Sequence, residues 1–501
     1  MPPARGARTI PAETSPASTT QRLLHWFGRT PTAPAIIEAD ATYRYGDLAV
    51  GIVQWARALA ASSVRPGMLV GLQHQRRYLH LLLIEACQLL GATSVSLSPA
   101  DIATNDPILK RCDFLCLETA WEPQGEERPA EGVLILSQAV IDQVARTPVH
   151  AADLGMLDHA PTPDTVVRLV RTSGSTGRAK VLAMTQAQMD LLLRKTLHMP
   201  RDPGHPWNFL NLYDFTLRSA LRETEIALRL GLVAVSSSME TVFDDMRRMH
   251  SFRVTLVSGD AVRLARSIPA DWKGPRAGIL SVKGGALDPA IRQILRERVV
   301  TDVYHSYATN ETHRIAMIRE DGIGDVEPGM RVRIVDEQGA EQRPGLMGLI
   351  EVAPTLVCSY LWDDEATAIG FRDGWYRTYD LGIMPSAGEL VVMGRADDMV
   401  SIGGVKFAPQ AIEARIRALP GVREAVLLAL ASPGGAEELA VVLETDLTSL
   451  PLPLNREIVA ILSGSVRSYR PYLMPDLPRT ETGKLRRGAL LDMLSSASRA
   501  T

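Results

Sequence analysis

Apolar runs alternate with segments of helical periodicity along most of the chain. Residues 48–61 and 79–90 place apolar side chains at intervals of three to four, which is typical of helices packed on a core. Short apolar runs, which predict buried strands, lie between such segments. They cover residues 68–72, 92–97, 133–136, 166–170, 232–236, 254–257 and 303–307. This alternation predicts α/β layers with largely parallel sheets.

The pattern changes near residue 325, where short strands and turns replace the alternation. Strands predicted at residues 332–335, 348–352 and 388–392 indicate a small β-rich subdomain. After Gly394, strands and helices mix again: strands at 400–402, 425–430 and 439–443, and helices at 409–418 and 455–463. We therefore predict an α/β fold. Its large N-terminal domain of several subdomains combines layered α/β sheets with the β-rich part, and a smaller α+β domain follows.

These changes of pattern place the predicted domain boundaries. Residues 1–20 hold several prolines and a Ser/Thr cluster, which indicates a flexible tail. The predicted N-terminal domain spans residues 21–396, and the predicted C-terminal domain spans residues 397–501. A length of 501 residues is compatible with two to four domains, since a domain has on the order of 100–200 residues.

The composition excludes several classes of protein. Apolar residues make up 46% and charged residues 22%, which is ordinary for a globular chain. The net charge of −3, from 54 basic and 57 acidic residues, gives no general attraction to nucleic acid or to an anionic membrane. Four cysteines are too few for a disulfide scaffold, and Cys112 and Cys116 lack a second Cys or His pair that would complete a zinc site.

No segment predicts a membrane span or an export signal. The most apolar stretch, residues 81–97, contains Glu85 and Gly91. It is also shorter than the ~20 residues that a helix needs to cross a bilayer. The N-terminal segment lacks the apolar run of a signal peptide. We therefore expect a cytoplasmic protein that acts neither on membranes nor on nucleic acid.

A loop rich in glycine and hydroxyl side chains follows the predicted strand at residues 166–170. It consists of Thr172, Ser173, Gly174, Ser175, Thr176, Gly177, Arg178, Ala179 and Lys180. Small residues after a strand let backbone N–H groups approach an anion, the hydroxyl groups add donors, and Lys180 adds a positive charge. The sequence differs from a Walker A loop, because Ala179 precedes the lysine and Val181 follows it. The loop thus predicts a phosphate site, and a flexible surface turn is the alternative.

Four later segments place polar or charged groups at strand ends or in turns. Residues 307–311 close a predicted strand with a carboxylate, and residues 375–380 end in an Asp that is able to bind a diol. Residues 394–398 lie at the domain boundary, and residues 478–484 place a lysine on a glycine turn. Each segment alone is also compatible with an ordinary surface turn. Their occurrence together, in this order, favours a functional site.

Together these segments make the sequence similar to the adenylate-forming superfamily, which includes acyl-CoA synthetases, adenylation enzymes of natural-product assembly and firefly-type luciferases. The resemblance extends from residues 34–37 to Leu490. It implies a large N-terminal domain of three subdomains and a mobile C-terminal lid, with ATP and Mg²⁺ as cofactors. It also implies two half-reactions. A small carboxylic acid attacks the α-phosphate of Mg-ATP to give acyl-AMP and pyrophosphate, and a thiol, usually of phosphopantetheine, then takes the acyl group.

The resemblance assigns catalytic roles to three positions and the role of a hinge to a fourth. Residues 172–180 resemble the loop that holds the β- and γ-phosphates, with Thr176 near the metal, and Glu311 resembles the magnesium ligand. Lys484 resembles the lysine that reaches the substrate carboxylate and the α-phosphate during adenylation. Asp397 resembles the hinge of the lid. Positioned cations and a metal suit this chemistry, because negative charge develops on the transferring phosphoryl group.

The resemblance also predicts the contacts of the nucleoside. The Gly-Gly-Ala segment is expected to pack on the adenine and to line the acyl pocket, an aromatic residue to stack on the adenine, and a carboxylate to accept the ribose hydroxyls. The residues concerned are Gly284, Gly285 and Ala286; Tyr307 with its neighbours Ala308, Thr309 and Asn310; and Asp380 with Arg395 beside it.

Several positions depart from the pattern of the superfamily. Val181 and Ala308 stand where glycine is usual, Asn310 replaces a threonine, and His305 replaces an asparagine. Tyr379 replaces the glycine before the ribose-binding carboxylate, which places a bulky side chain beside the expected nucleotide site. No departure removes a charged catalytic group.

Three functions are compatible with these residues. We expect a stand-alone adenylation enzyme that loads a separate phosphopantetheinylated carrier protein, because no carrier domain follows the last motif. The alternative is an acyl-CoA synthetase. A third hypothesis is a nucleotide-binding protein with impaired catalysis, and it is motivated by the substitutions at motif positions described above. Against it, three of the seven lysines, Lys180, Lys283 and Lys484, lie in motif loops.

The segment around Asp214 is the candidate determinant of the substrate. Tyr213, Asp214 and Phe215 resemble the segment that distinguishes aryl-acid from amino-acid activators in the superfamily. If Asp214 is buried in the acyl pocket, its charge needs a partner, and a substrate ammonium would supply one. This interpretation favours an amino acid or amino-aryl acid. The alternatives are that Asp214 caps a helix starting near Thr216, or that the substrate is a fatty acid.

Overall fold

The computed structural model describes residues 18–121, 132–158, 161–172, 179–196, 207–402, 405–407, 409–431, 437–462, 468–479 and 485–499. The chain forms two compact units. The first extends to Thr255 and includes Arg276–Ile279 and Ser359–Asp364. The second comprises Leu256–Pro275, Leu280–Cys358 and the residues from Glu365 onwards. The first helix begins at Thr19, inside the predicted tail, with the Ser18 side chain accepting from the Gln21 N–H.

The elements of the first unit alternate strands and helices, as the pattern predicts. They are α1 Thr19–Arg29, β1 Pro34–Glu38, β2 Ala41–Arg44, α2 Tyr45–Ala61, β3 Leu69–Gln73, α3 Arg77–Leu89, β4 Thr93–Ser96, α4 Pro99–Ala103, β5 Phe114–Leu117, β6 Gly132–Ile135, α5 Gln138–Ala145, β7 Val166–Thr172, β8 Lys180–Thr185, α6 Gln186–Thr196, β9 Asn208–Asn211, α7 Arg218–Arg229, β10 Val233–Ser236, α8 Val242–Arg248 and β11 Ser251–Val257. Short 3₁₀ turns lie at Leu109–Arg111 and Asp153–Asp158.

Two largely parallel arrays of strands form in the first unit. One has the order β6-β5-β3-β4-β7-β8, with only β7 and β8 antiparallel. In the other, β11, β9, β10 and β1 are parallel neighbours and β2 pairs antiparallel with β1. Helices α2, α3 and α7 contribute most of their residues to the core. Gly91 stops α3 because its φ of +69° lies in the left-handed region that glycine adopts readily.

The second unit begins with helices and continues as a mainly antiparallel sheet. Its elements before residue 397 are α9 Ser258–Arg266, β12 Arg276–Lys283, α10 Pro289–Arg298, β13 Val300–Thr309, β14 His313–Ile318, β15 Gly324–Val326, β16 Arg331–Val335, β17 Gly348–Ala353, α11 Asp364–Gly370, β18 Phe371–Arg372, β19 Trp375–Ile383 and β20 Glu389–Arg395. The strands follow the order β13-β14-β15-β20-β19-β17-β16. This is the β-rich region predicted after residue 325.

The C-terminal residues of the second unit form an α+β array. Its elements are β21 Val400–Ile402, β22 Val405–Phe407, α12 Gln410–Arg417, β23 Glu424–Ala431, β24 Glu437–Glu444, α13 Leu452–Leu462, β25 Tyr469–Met474 and α14 Arg487–Arg499. Strand β23 buries alternate residues on both faces, Leu427 against α13 and Val426 against α14. A strand covered on both faces is apolar throughout, which explains the continuous apolar run of the sequence.

Among the residues that the structure describes, no helix is both long enough and apolar enough to cross a membrane.

Candidate active site

The predicted phosphate loop joins two paired strands. Thr172 at the end of β7 lies opposite Lys180 at the start of β8, so a hairpin brings the two ends of the loop together. Ser173, Gly174, Ser175, Thr176 and Gly177 lie outside the described residues. The Nζ atom of Lys180 is 4.7 Å from the centre of the Tyr360 ring. A cation over an aromatic face gains a favourable electrostatic contact, which helps to hold the Lys180 ammonium group in place.

Val181 occupies a strand position and not a loop position. It pairs with Arg171 across the hairpin, and its backbone carbonyl accepts a 2.7 Å hydrogen bond from the Leu361 N–H. Its side chain is buried in an apolar cluster with Leu115, Val95 and others. The departure from glycine therefore adds packing to the base of the hairpin.

Arg168 connects this hairpin to the segment around Asp214. It lies on β7 and is buried, and its guanidinium donates to Ser94 Oγ at 3.1 Å, to Ser96 Oγ and to the Phe215 carbonyl at 3.1 Å. Burial lowers its pKa to about 10, and nearby Glu225 opposes this shift. The guanidinium thus remains charged at neutral pH, and it is satisfied by hydroxyl and carbonyl oxygens.

The expectation that Asp214 is a buried carboxylate is wrong. Asp214 is exposed, and its Oδ1 accepts hydrogen bonds from the Thr216 N–H at 2.9 Å and from the Thr216 hydroxyl. Helix α7 begins at Arg218, so Asp214 closes a local turn just before it. A solvated carboxylate with two local donors needs no substrate ammonium, and the argument for an amino acid substrate loses its premise. Tyr213 is half-buried in the same turn.

Gly284 and Gly285 form a turn whose geometry requires glycine. Gly284 has φ of +77°, and a Cβ on Gly285 would lie 2.5 Å from Ser258 Oγ. The carbonyl of Gly285 accepts a 2.8 Å hydrogen bond from Nε2–H of His305. Burial lowers the pKa of His305, so the neutral ring is favoured. The histidine at this position, where asparagine is usual, thus still supplies a hydrogen-bond donor. Both glycines are exposed, and their predicted contact with adenine stays a prediction.

Tyr307 and Asp380 are in direct contact. The Tyr307 hydroxyl donates to Asp380 Oδ2 at 2.5 Å, and both burial and the neighbouring carboxylate raise the pKa of Tyr307. The Asp380 N–H donates to Thr378 Oγ1 at 3.1 Å. The structure therefore brings together the residues predicted for adenine and for ribose.

Arg395 extends this contact toward the predicted hinge. Its Nη1 donates to the Thr378 carbonyl at 2.9 Å and lies 3.7 Å from Asp380 Oδ1. Its Nη2 lies 3.2 Å from Asp397 Oδ1. The predicted ribose carboxylate and the predicted hinge residue thus share one cation.

Tyr379 has an unusual backbone conformation for its side chain. Its φ is +62°, in the left-handed region where glycine is favoured and where aromatic residues are rare. This explains why the position is glycine in the superfamily. The Tyr379 carbonyl accepts a 2.9 Å hydrogen bond from the Ala396 N–H, which helps to hold the conformation.

Glu311 lies in the turn after β13, where the predicted metal ligand is expected. The turn follows a register shift at Ala308, and it is closed by the Thr312 N–H donating to Thr309 Oγ1 at 3.2 Å. Glu311 is 5% exposed, and its carbonyl accepts from the Leu356 N–H at 2.8 Å. Asn310 and Ala286 are described here too, both beside turns at strand ends. The predicted partners Thr176 and Lys484 lie outside the described residues.

The chemistry of these side chains fits a nucleotide with a hard metal ion. Carboxylate oxygens are the ligands that Mg²⁺ prefers, and a ribose diol needs an acceptor such as a carboxylate. The turn at Gly284 leaves no room for a side chain on Gly285. Glycine at such a position lets a ligand approach the backbone closely. Within the described ranges, no group of three or more His, Cys, Asp or Glu side chains forms a metal site by itself.

Comparison with known proteins gives a consistent result. The model of the family described as "AMP-binding enzyme" matches residues 23–359. The 2-succinylbenzoate–CoA ligase of Bacillus pumilus is 25% identical over 488 residues, which is 93% of this chain and 96% of that protein. The 4-chlorobenzoate–CoA ligase of an Arthrobacter species is 26% identical over 497 residues, covering 93% of this chain and 94% of that protein.

Solved structures share the fold. ATP-bound MatB from Rhodopseudomonas palustris has a TM-score of 0.77 at 21% identity, and the match covers 96% of this chain and 99% of that chain. The O-succinylbenzoate CoA synthetase MenE from Bacillus subtilis, solved with ATP and a magnesium ion, has a TM-score of 0.76 at 21% identity. That match covers 94% of this chain and 98% of MenE. The α/β fold predicted from the sequence is thereby confirmed.

Proposed function

The chain belongs to the AMP-binding enzyme family, and from this premise we propose that it activates a carboxylic acid with ATP and transfers the acyl group to coenzyme A. It is an adenylate-forming ligase, and ATP and Mg²⁺ are its cofactors. The observation that supports the proposal most directly is the cluster formed by Tyr307, Asp380, Arg395 and Asp397. It links the expected adenine, ribose and hinge contacts in one chain of hydrogen bonds and ion pairs.

The proposed chemistry assigns one task to each of the following residues. Asp380 accepts the ribose hydroxyls, and the turn at Gly284 and Gly285 packs on the adenine. Glu311 holds the magnesium ion, which neutralises charge on the phosphates when it is bound. Lys484 is proposed to approach the acid and the α-phosphate during adenylation. Residues 397–501 are proposed to act as a lid that turns about Asp397 between the two half-reactions.

Coenzyme A is the acceptor that we favour over a carrier protein. The two relatives reported above match over more than nine tenths of their length, and both are named CoA ligases. The prediction of a carrier protein has no support from these matches, and we retain it only as an outcome of the test.

An aromatic acid is the substrate class that we favour. The named substrates of the two relatives reported above, 4-chlorobenzoate and 2-succinylbenzoate, share a benzoate ring. The exposed position of Asp214 removes the reason to expect a substrate ammonium. A neutral or acidic ring substituent is therefore compatible with this segment.

Pyrophosphate release with a panel of aryl, fatty and amino acids tests the proposal. We expect release with an aryl acid, and an acyl-CoA product when coenzyme A is added. Glu311→Gln serves as the inactive control, because it removes the charge proposed to hold the metal. A product with a phosphopantetheinylated carrier but none with coenzyme A would restore the first prediction. Nucleotide binding without pyrophosphate release for any acid would favour the impaired-catalysis hypothesis.

A further inference from the structure

Tyr379 combines an unfavourable backbone conformation with a position next to the proposed nucleotide carboxylate. A residue with a Cβ is strained at φ of +62°, and a glycine at the same place is not. Such conformations persist where the surrounding structure enforces them, and they are concentrated at functional sites. Contacts of the Tyr379 side chain are able to offset this strain, and a glycine lacks them.

The ring of Tyr379 covers the guanidinium group of Arg395. The Cζ atom of Arg395 is 5.7 Å from the centre of the ring, within the range of a cation–π contact. Tyr379 is half-buried, and the Ala396 N–H bonds to its carbonyl, so the ring approaches Arg395 from a fixed backbone. A glycine would leave this face of the guanidinium to solvent.

Arg395 pairs with both Asp380 and Asp397. Nη1 is 3.7 Å from Asp380 Oδ1, and Nη2 is 3.2 Å from Asp397 Oδ1. One carboxylate is proposed to bind the ribose and the other to begin the lid. The orientation of a single guanidinium therefore affects both groups.

We propose that Tyr379 is a positioning residue, which holds Arg395 between Asp380 and Asp397 and so couples nucleotide binding to the movement of residues 397–501. This inference rests on the proposed function, but it concerns a residue at which this chain differs from the superfamily. The ring itself contacts the arginine and not the reacting atoms.

Three substitutions separate the ring from the backbone strain. Tyr379→Phe keeps both the ring and the strain, Tyr379→Leu keeps the strain and removes the ring, and Tyr379→Gly removes both. If the ring positions Arg395, the Leu and Gly variants bind ATP on the order of 2- to 5-fold more weakly, the value of an exposed cation–π contact. The Phe variant retains most of the affinity. Tyr379→Gly also melts at or above the temperature of the wild type, whereas Tyr379→Leu does not.

The measurements are ATP binding by calorimetry without acid or coenzyme A, and the ratio of pyrophosphate exchange to thioester formation. We expect the Leu and Gly variants to shift this ratio by a similar factor. Tyr472→Leu is the matched control, because Arg470 lies 5.6 Å from that ring in the same unit. In an Arg395→Ala background, Tyr379→Leu should have no further effect on ATP affinity, since the partner is already absent.

The outcomes distinguish the inference from the proposed function. A wild-type protein that forms acyl-CoA, together with Leu and Gly variants that behave like it, would overturn the positioning role. Additive effects in the Arg395→Ala background would overturn it as well. If the wild type forms no acyl-CoA, the proposed function fails, and calorimetry with the double variant still decides whether Tyr379 acts through Arg395.

Discussion

Glu85 lies fully buried in the first unit, and its state of protonation should control the stability of that unit. Neither of its carboxylate oxygens has a hydrogen-bond partner among the described residues. Burial and the nearby Glu225 carboxylate together raise the pKa of Glu85 to about 8, although Arg229 and Arg168 oppose the shift. Burial also raises the pKa of Glu225 to about 7, with Arg229 and Arg168 opposing this shift and Asp190 adding to it.

The direction of the pH effect follows from these shifts. Between the ordinary value of 4.5 and about 8, folded Glu85 holds a proton that the unfolded chain has lost. Stability is therefore highest at the acidic end of this window and falls as pH rises through it. Each such proton contributes about 1.4 kcal/mol per pH unit. For a unit of this size that corresponds to roughly 3–6 °C in Tm per pH unit.

Thermal melts of the wild type and of Glu85→Gln between pH 5.5 and pH 8.5 test this reasoning. We expect the wild type to lose stability across the range, and the variant to lose about half as much, because glutamine mimics the protonated carboxyl group and Glu225 still titrates. The exposed residue Glu240 provides a control, since Glu240→Gln should follow the wild type. A Glu85→Gln variant with the full slope of the wild type would refute the assignment.

Three further predictions concern the reaction. Lys484→Ala should lower acyl-AMP formation on the order of 10²–10³-fold, because one charged contact to the transition state is lost. The variant should still form the thioester from pre-formed acyl-AMP. Pyrophosphate exchange at the normal rate would contradict this role. Asp397→Pro should slow one half-reaction more than the other when the two are assayed separately, because proline fixes φ and removes a backbone donor. Equal losses of both half-reactions in a folded variant would argue against a hinge at this residue. Asp214→Asn should change kcat/KM by no more than about twofold for acids with or without an amino group, because the turn at Thr216 persists. A loss of activity on amino acids alone would support the prediction that Asp214 lines the acyl pocket.

The sequence predicted the elements of the fold well, because periodicity reports burial directly. The continuous apolar run at residues 425–430 became β23, which is covered on both faces, and residues 79–90 became α3, which ends at Gly91 as expected. Asp214 shows the limit of such reasoning. A short polar segment before a helix is the same in sequence whether its carboxylate faces a pocket or closes a turn, and only the backbone path decides between them.

The departures from the superfamily pattern show a second limit. A substituted glycine was visible at Val181 and at Tyr379, but the two have opposite physical meanings. Val181 lies in an extended strand, where a side chain adds packing. Tyr379 retains the left-handed backbone of a glycine and has to be held there. Whether replacing a glycine stabilises or strains the chain depends on φ at that position, which a single sequence does not report.

Arg168 is the functional candidate that the sequence analysis missed, although a signal was present. It lies in the middle of the apolar strand Val166–Thr172, where a charged side chain that faces inward must find acceptors. The neighbouring strand β4 has serines at 94 and 96, which supply two of them, and the third is the Phe215 carbonyl. Arg168 lies on β7 and donates to the Phe215 carbonyl, so it connects this strand to the segment at residues 213–215. A mutation in that segment therefore has to preserve the position of the Phe215 carbonyl, because its displacement would leave the buried guanidinium with one acceptor fewer.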